Sequence, residues 1–193
     1  MTEISTTTVQ LAQQGDQAAC QAIVEALHRP VIATIFRFLG VRYRRDVEDL
    51  AQEVFLKVFR ALSRFDPARA KFTTWVYTFV RNHCFDVLKR RRVPTSSLHA
   101  NDPDEAPRDF ADRRELVPTH DAENQELGRR ISEALGTLGE EQRMVFILRE
   151  YEGLDFKEIA EVTGVSEGTV KSRLFRAKET LRQELEPYLK AGA

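Results

Sequence analysis

A short stretch near the C-terminus restricts the fold of this chain more than any other part of its sequence. Asp155 and Glu158 stand three residues apart, the spacing of a capping box in which two side chains satisfy backbone groups at a helix start. Gly164 can end that helix, and Ser166 can cap the next one after a turn of three residues. Two helices joined by a short turn that contains Gly form a helix-turn-helix, so we predict that motif here.

The segments around this motif also show helical spacing. The helix-turn-helix itself predicts helices over 156–163 and from 167 to about 185, and two more helices are expected over 122–135 and 140–151. In the last helix, an inward apolar stripe is formed by Val170, Leu174, Ala177 and Leu181. Five basic residues stand between Lys171 and Arg182 against the single acid Glu179. A basic second helix of this kind is typical of one that enters the major groove of duplex DNA.

The net charge of −1 at pH 7 hides a segregation of charge along the chain. Between residues 60 and 92, nine basic residues stand against two acidic ones. Between 101 and 126, nine acidic residues stand against three Arg. Separated blocks indicate different partners for different stretches, so the near-neutral total does not argue against DNA binding.

Four of the seven prolines fall between Val93 and Pro118, in a stretch without helical or strand periodicity. No alternating strand pattern of useful length appears on either side of it. We therefore predict an all-α protein of two small helical domains joined by an acidic, Pro-rich linker, with the helix-turn-helix in the C-terminal domain. The predicted bounds are 9–92 for the first domain, 93–121 for the linker and 122–187 for the second domain.

Three helices are predicted in the first domain, over 16–39, 46–63 and 73–91. Asp16 can cap the first of them and Pro30 is expected to kink or interrupt it, while Gly40 ends it. The second helix has the spacing of one buried face, formed by Val47, Leu50, Ala51, Val54, Phe55, Val58 and Leu62.

Two surfaces of the first domain are candidates for binding. The outer face of the second helix carries an acidic stripe with a leucine, a plausible docking face for a basic protein partner or simply a solvated helix face: Asp49, Gln52, Glu53 and Leu56. The third helix interleaves Trp75, Tyr77 and Phe79 with basic residues, a combination that suits unpaired bases. We expect Phe79 and Phe85 to be buried, and Trp75 with the loop 66–74 to be exposed and able to hold a base turned out of the duplex.

Together these segments resemble the bacterial sigma factors of the extracytoplasmic-function group, within the sigma-70 family. Asp46–Phe55 is similar to the core-polymerase docking motif, and Phe72–Trp75 with Tyr77 and Asn82 resembles the segment that melts and reads the minus-ten promoter element. Two segments resemble the part of these sigma factors that reads the minus-thirty-five element: Glu152–Ala160 and Gly164–Arg173.

The resemblance implies a role for each of three residue sets. Docking on the β′ clamp helices of core RNA polymerase is implied for Asp46, Asp49, Gln52, Glu53, Leu56 and Lys57. Action at the minus-ten element, with a pocket for a flipped base, is implied for Lys71, Phe72, Thr73, Trp75, Arg81, Asn82, Lys89 and Arg90. Contact with the minus-thirty-five element is implied for Ser166, Glu167, Gly168, Thr169, Lys171, Ser172, Arg173, Phe175 and Arg176.

The resemblance also implies further partners and a mode of action. The polymerase β flap, promoter DNA and an anti-sigma factor are the expected partners, and the linker is expected to thread the polymerase near the RNA exit path. No cofactor, metal or catalytic residue is expected, since the sequence lacks a nucleotide-binding Gly-rich loop. With neither a signal-peptide pattern nor an apolar run of about 18 residues, the chain is expected to be cytoplasmic, without membrane insertion.

Two other readings of the sequence remain open. A DNA-binding regulator could use its N-terminal half as a sensor or dimerisation domain. A metalloenzyme bundle is suggested by Glu25 and His28, but a di-iron site needs two such Glu-x-x-His pairs on facing helices, and the other histidines lack a Glu three residues before them. His83 beside Cys84 lacks further ligands at zinc spacing, which favours a structural role for both.

Overall fold

The computed structural model describes residues 4–92 and 122–191, and within these ranges every regular element is a helix. The all-α prediction is therefore confirmed, while the predicted linker, 93–121, lies outside the described residues. The α-helices are α1 Thr6–Gln13, α2 Gln17–Leu39, α3 Val47–Ala61, α4 Phe72–Arg92, α5 Ala122–Thr137, α6 Glu140–Glu150, α7 Phe156–Thr163 and α8 Glu167–Ala191. Single 3-10 turns follow α2 and α3, at Val41–Tyr43 and Leu62–Arg64.

The longest helix of the first domain begins and ends where its capping residues predict. The Asp16 carboxylate accepts a hydrogen bond from the Ala19 backbone N–H at 2.7 Å, and Gly40 ends α2 with a positive φ of 83°. Pro30 lies inside α2, which continues past it to Leu39, so of the two expected effects of Pro30 the interruption is wrong. Helix α1 was not predicted, because it has only eight residues and buries just Val9 and Ala12.

Helix α3 has the clearest division into a buried and an exposed side. It buries Val47, Ala51, Val54, Phe55 and Val58, as the sequence spacing predicts, and packs between α2 and α4. Leu50 is only half-buried, and Leu62 is buried from the 3-10 turn that follows the helix. The polar side of α3 is consequently left on the surface of the first domain.

The helix-turn-helix has the predicted geometry. The Asp155 side chain and the Glu158 side chain each accept a backbone N–H of the other residue, at 2.8 Å in both cases, which completes the capping box of α7. Gly164 ends α7 in the left-handed conformation, with φ 69° and ψ 27°. Helix α8 buries its predicted stripe of Val170, Leu174, Ala177 and Leu181 but continues through Pro187 to Ala191, beyond its predicted end near 185.

The two domains lie against each other in the free chain. Helices α2 and α4 of the first domain contact α6 and α7 of the second, and apolar residues from both domains form one continuous core. A smaller core joins α5 to α8 through Ala134, Leu135, Leu138, Ala177 and Leu181. This arrangement decides which of the candidate surfaces are accessible.

Candidate nucleic-acid and partner interfaces

The outer face of α3 presents a continuous row of exposed polar side chains with one exposed leucine. Asp49 is exposed, the exposed Gln52 and Glu53 follow it after one helical turn, and Leu56 lies one turn further on with 56% of its surface accessible. Asp46 is exposed at the start of the same helix. Acidic groups beside an accessible apolar side chain are suited to a basic protein partner that also offers a hydrophobic contact.

A buried histidine of α4, His83, binds Lys57, the residue that follows Leu56 on α3. The Lys57 ammonium donates to Nδ1 of His83 at 2.7 Å, so the His83 proton lies on Nε2, 3.7 Å from a Glu53 carboxylate oxygen. The His83 side chain is only 1% exposed. Burial, and then the charge of Lys57, lowers the pKa of His83, so the ring stays neutral. His83 therefore fixes Lys57 and faces Glu53 from behind the row.

The first turn of α8 presents polar groups at the N-terminal end of the helix. Ser166 caps the helix by accepting the Thr169 backbone N–H at 3.2 Å, and its hydroxyl lies 2.9 Å from the Thr169 hydroxyl. Glu167 and Gly168 are exposed in the same turn. The N-terminal residues of a recognition helix lie deepest in the major groove, so this turn has the geometry for contacts with base edges.

The outer face of α8 is basic and open to solvent. Lys171, Ser172 and Arg176 are exposed, and Phe175 has 71% of its surface accessible. Lys171 lies 5.3 Å above the Phe156 ring, and Ser172 donates to the Thr169 carbonyl at 3.0 Å. In the same helix, Arg173 forms an ion pair with Glu141 at 2.9 Å. Eight of the nine predicted minus-thirty-five residues thus point outward or flank the outward face, and Arg173 is held by the second domain itself.

The aromatic side chains at the start of α4 are less accessible than the sequence suggests. The Trp75 ring packs within 4.7–5.8 Å of Phe65, Phe72 and Phe79 and is half-buried. Phe72 and Thr73 are 5% and 3% exposed. The predicted exposure of the loop 66–74 is correct for 66–71, where only Ala70 is half-buried, and wrong for 72–74. Phe72 packs against Phe65 and Trp75, and Thr74 lies against Glu158 of the second domain. Phe79 and Phe85, expected to be buried, are also half-buried.

The basic residues predicted for the minus-ten element lie on two sides of α4. Asn82, Lys89 and Arg90 are exposed. Lys71, just before the helix, is also exposed, with 62% of its side chain accessible, and lies 3.0 Å from Glu158 of the second domain. Arg81 is half-buried and lies 3.5 Å from Glu141 of the same domain. Arg81 also stacks on Phe85 at 4.4 Å and donates to Asn82 at 3.0 Å. Part of the predicted DNA surface is therefore covered in the free chain.

A buried polar cluster at the contact between the domains was not predicted. The Glu152 carboxylate accepts hydrogen bonds from the Thr34 hydroxyl, at 2.7 Å, and from the Tyr77 hydroxyl. Arg37 lies 3.8 Å from the same carboxylate and 4.1 Å above the Tyr151 ring. Burial and the Glu152 charge raise the pKa of Tyr77, which keeps its hydroxyl protonated as a donor. No local pattern could show these contacts, since 118 and 75 positions separate Thr34 and Tyr77 from Glu152.

The histidines and cysteines of the described residues are His28, His83, Cys20 and Cys84. His28 lies 3.3 Å from Glu48 and stacks on Phe55, and Cys84 is fully buried. Across 4–92 and 122–191, no cluster of three or more His, Cys, Asp or Glu is placed to hold a metal ion. In the same ranges, no helix combines the length and the apolar character needed to cross a membrane.

Comparison with known families and proteins gives consistent matches over nearly the whole chain. The family model described as sigma-70 region 2 matches residues 23–93, and that described as sigma-70, region 4 matches residues 128–181. The RNA polymerase sigma-H factor of Pseudomonas aeruginosa is 33% identical over 186 residues, covering 94% of each chain. The ECF RNA polymerase sigma-E factor of Escherichia coli (strain K12) is 32% identical over 184 residues, again 94% of each chain.

Two solved structures share the fold. CnrH, in complex with the cytosolic domain of CnrY, superposes with a TM-score of 0.68 at 25% identity, covering 94% of this chain and 96% of that one. The sigma factor RpoE of Bartonella quintana, in complex with the anti-sigma factor NepR, superposes with a TM-score of 0.62 at 20% identity, covering 86% and 96%. The second likeness supports the fold alone.

Proposed function

The chain belongs to the extracytoplasmic-function group of the sigma-70 family, and from this premise we propose which of its surfaces perform each step of transcription initiation. As a sigma factor it binds core RNA polymerase and directs initiation at specific promoters. Three surfaces divide this work: the outer face of α3, the residues around α4 and the outer face of α8.

The outer face of α3 docks on the β′ clamp helices of core polymerase. The observation that carries this assignment is the row of Asp49, Gln52, Glu53 and Leu56, which is exposed on the first domain and takes no part in its contact with the second. Asp46 and Lys57 extend the row at its two ends. An acidic row that leads to an exposed leucine provides both electrostatic steering and a desolvated contact for a basic partner.

The two DNA surfaces read different forms of the promoter. The outer face of α8 enters the major groove at the minus-thirty-five element, where Arg176 and Lys171 are placed for bases or phosphates and Phe175 for a thymine methyl. The residues around α4, with Trp75 and Asn82 among them, bind the melted minus-ten element. The domain bounds that follow are 9–92 and 122–187, with the segment between them spanning the polymerase from one element to the other and the β flap contacting the second domain.

Strand separation is stabilised by binding and not by hydrolysis. Sigma factors are non-enzymatic initiation factors, and we assign bond formation entirely to the polymerase. CnrH was solved with the cytosolic domain of CnrY and RpoE with the anti-sigma factor NepR, and we propose that an anti-sigma factor also restrains this chain. The protein then acts in the same compartment as the polymerase, the cytoplasm.

Capture of the chain by immobilised core polymerase tests the assignment of α3. The double variant Asp49→Arg/Glu53→Arg reverses the charge of the row, and we expect at least ~10-fold weaker capture, since buried interface charge pairs contribute about 1.5 kcal/mol or more each. The matched control, Glu25→Arg/Glu161→Arg, makes the same change at exposed carboxylates on α2 and α7 and is expected to bind like the wild type. Undiminished capture of the first variant would overturn the assignment of α3, and failure of core polymerase to capture the wild type would favour a helix-turn-helix regulator that acts without polymerase docking.

A further inference from the structure

One face of the first domain is lined with hydrogen-bond donors and cations where it meets the second domain. On α4 and the residue before it, these side chains follow at steps of three or four, which places them along one side of the helix. Two residues of α2 lie beside them. This donor face consists of Thr34, Arg37, Lys71, Thr74, Tyr77 and Arg81.

Three carboxylates of the second domain occupy the donor face. Glu158 lies 3.0 Å from the Lys71 ammonium and accepts from the Thr74 hydroxyl at 3.3 Å. Glu141 lies 3.5 Å from Arg81. Glu152 fills the cluster formed by Thr34, Arg37 and Tyr77. Acceptors thus come from one domain and donors from the other.

The Glu152 cluster has the construction of an anion site. The Glu152 side chain is 6% exposed, and an ionised carboxylate buried to that extent is costly unless several donors converge on it. The Thr34 and Tyr77 hydroxyls, both nearly inaccessible, and the Arg37 guanidinium provide those donors. When the domains separate, the same three donors are left together on the surface of the first domain without their anion.

The dimensions of the donor face match a nucleic-acid strand. Thr74 and Arg81 are seven residues apart on α4, which is about 10 Å along a helix. A strand within duplex DNA advances about 3.4 Å per nucleotide along the helix axis. An unpaired strand is more extended, so that distance spans about two nucleotides. Arginine, lysine and hydroxyl donors are also the groups that hold DNA phosphates in protein complexes.

We propose that the donor face binds successive phosphates of the melted promoter strand, and that Glu141, Glu152 and Glu158 occupy the phosphate positions in the free chain. This proposal rests on the sigma-factor function described above and adds its regulation: the second domain covers the strand-binding surface until the domains separate. Thr34, Arg37, Thr74 and Tyr77 become phosphate ligands in addition to the residues already assigned to the minus-ten element.

An acidic protein segment would be held by similar donors. A DNA strand is favoured because the same helix continues into the exposed Lys89 and Arg90, with the exposed Asn82 between them and the donor face. The Trp75 cluster at the other end of α4 adds rings on which bases can stack. These features form one surface along the length of α4.

Fluorescence anisotropy with the full chain tests the proposal. The probes are a labelled 12-nucleotide single strand of mixed sequence and a labelled 12-residue polyglutamate. The opened variant is Glu141→Gln/Glu152→Gln/Glu158→Gln, and its control, with the same net charge, is Glu25→Gln/Glu161→Gln/Glu184→Gln, three exposed carboxylates outside the contact. A third variant adds Arg37→Gln and Tyr77→Phe to the opened one.

The opened variant is expected to bind the single strand more tightly than its control. Three added phosphate contacts should make the slope of log affinity against log salt concentration more negative by about 2. Adding Arg37→Gln and Tyr77→Phe should remove much of that gain. Equal affinity and slope for the opened variant and its control, or a gain that survives the added changes, would overturn the proposal. Equal or tighter binding of polyglutamate would overturn the assignment to DNA.

Initiation assays on the same preparations separate this proposal from the function on which it rests. Run-off transcription with core polymerase on a random promoter library shows whether the wild-type chain initiates. If it does, while the opened variant and its control bind the strand equally, the phosphate proposal fails and the sigma-factor assignments stand. If the wild-type chain gives no transcript above core polymerase alone, the proposed function fails, whatever the anisotropy shows.

Discussion

A single buried histidine links the exposed row of α3 to the interior of the first domain. His83 accepts from Lys57 through Nδ1 and faces Glu53 with Nε2, and its ring is held neutral by burial. A protonated ring would lose the acceptor that Lys57 uses and would place two cations 2.7 Å apart. The geometry of the exposed row is therefore tied to the uncharged state of one side chain.

This arrangement predicts a pH-dependent stability. The pKa of His83 is lowered in the folded chain, so as the pH falls through its ordinary value of about 6.5 the unfolded chain takes up the proton first. The stabilising contribution of His83 is full above that value and is lost as the pH falls below it. Urea unfolding between pH 7.5 and 5.5 should show a steeper loss for the wild type than for His83→Gln, whose amide oxygen can still accept from Lys57. Equal losses of unfolding free energy in the two proteins would contradict the assigned role of His83.

At the scale of elements, the helix-turn-helix depends on a few residues with defined backbone roles. The bounds of α7 were predicted correctly because Asp155, Glu158 and Gly164 each satisfy a specific backbone requirement at its ends. Gly164 adopts φ 69°, a conformation that L-residues with a Cβ rarely adopt. A Cβ at this position would meet no atom within 4 Å, so the requirement is one of backbone conformation alone.

Two glycine substitutions separate backbone strain from crowding. Gly164→Ala should lower the free energy of unfolding by about 1–2 kcal/mol, the cost of a left-handed L-residue. Gly128→Ala places a Cβ in equally open space but inside α5, with ordinary helical backbone, and should raise it by about 0.5–1 kcal/mol. Urea unfolding of both variants measures the difference. Changes of the same sign in the two proteins would show that the backbone at Gly164 is not the determinant.

Other features of the elements could not be predicted from local sequence. Helix α1 is too short to display a periodic pattern, and α8 accommodates Pro187 beyond the end expected from its stripe. The apolar stripe of α3 was predictable because one face packs between two helices. The burial of Trp75 was not, because it depends on Phe65, whose ring contacts Trp75 only when the loop 66–71 brings the chain back to the start of α4.

At the scale of the whole molecule, the contact between the domains makes the candidate surfaces differ in accessibility. The α3 row and the outer face of α8 are open, whereas Lys71 and Arg81 lie against carboxylates of the other domain. The sequence predicts both domains and the residues of each surface. It cannot predict this difference, because the contacts join residues such as Thr74 and Glu158 that are 84 positions apart.

A disulfide across this contact should hold the chain in its closed state. Thr74→Cys/Glu158→Cys, in a Cys20→Ser background with the buried Cys84 retained, joins positions whose side chains already form a hydrogen bond. The oxidised protein should be captured by core polymerase through α3 but should initiate at least ~10-fold less, since activity scales with the fraction of open chain. Reduction should restore initiation.

The single variant Glu158→Cys, treated with the same oxidant, controls for loss of the α7 cap and of the Lys71 ion pair. Its initiation should not depend on the redox state. Equal initiation by the oxidised and reduced forms of the double variant would show that separation of α4 from α7 is not needed.

The open recognition face of α8 has a consequence for the order of events in a cell. A chain that exposes its proposed duplex-binding face and its α3 row, while part of its proposed strand-binding surface is covered, should bind only weakly to DNA that is already unpaired, at replication forks and in the bubbles of other transcription complexes. Such sites carry phosphates and bases in abundance and would otherwise compete for the protein. Search on intact duplex and recruitment by polymerase therefore come first, and commitment to a single strand follows only at a promoter. The three carboxylates then set the order of binding, because they delay the less selective contact with a single strand until the contacts with duplex DNA and polymerase are made.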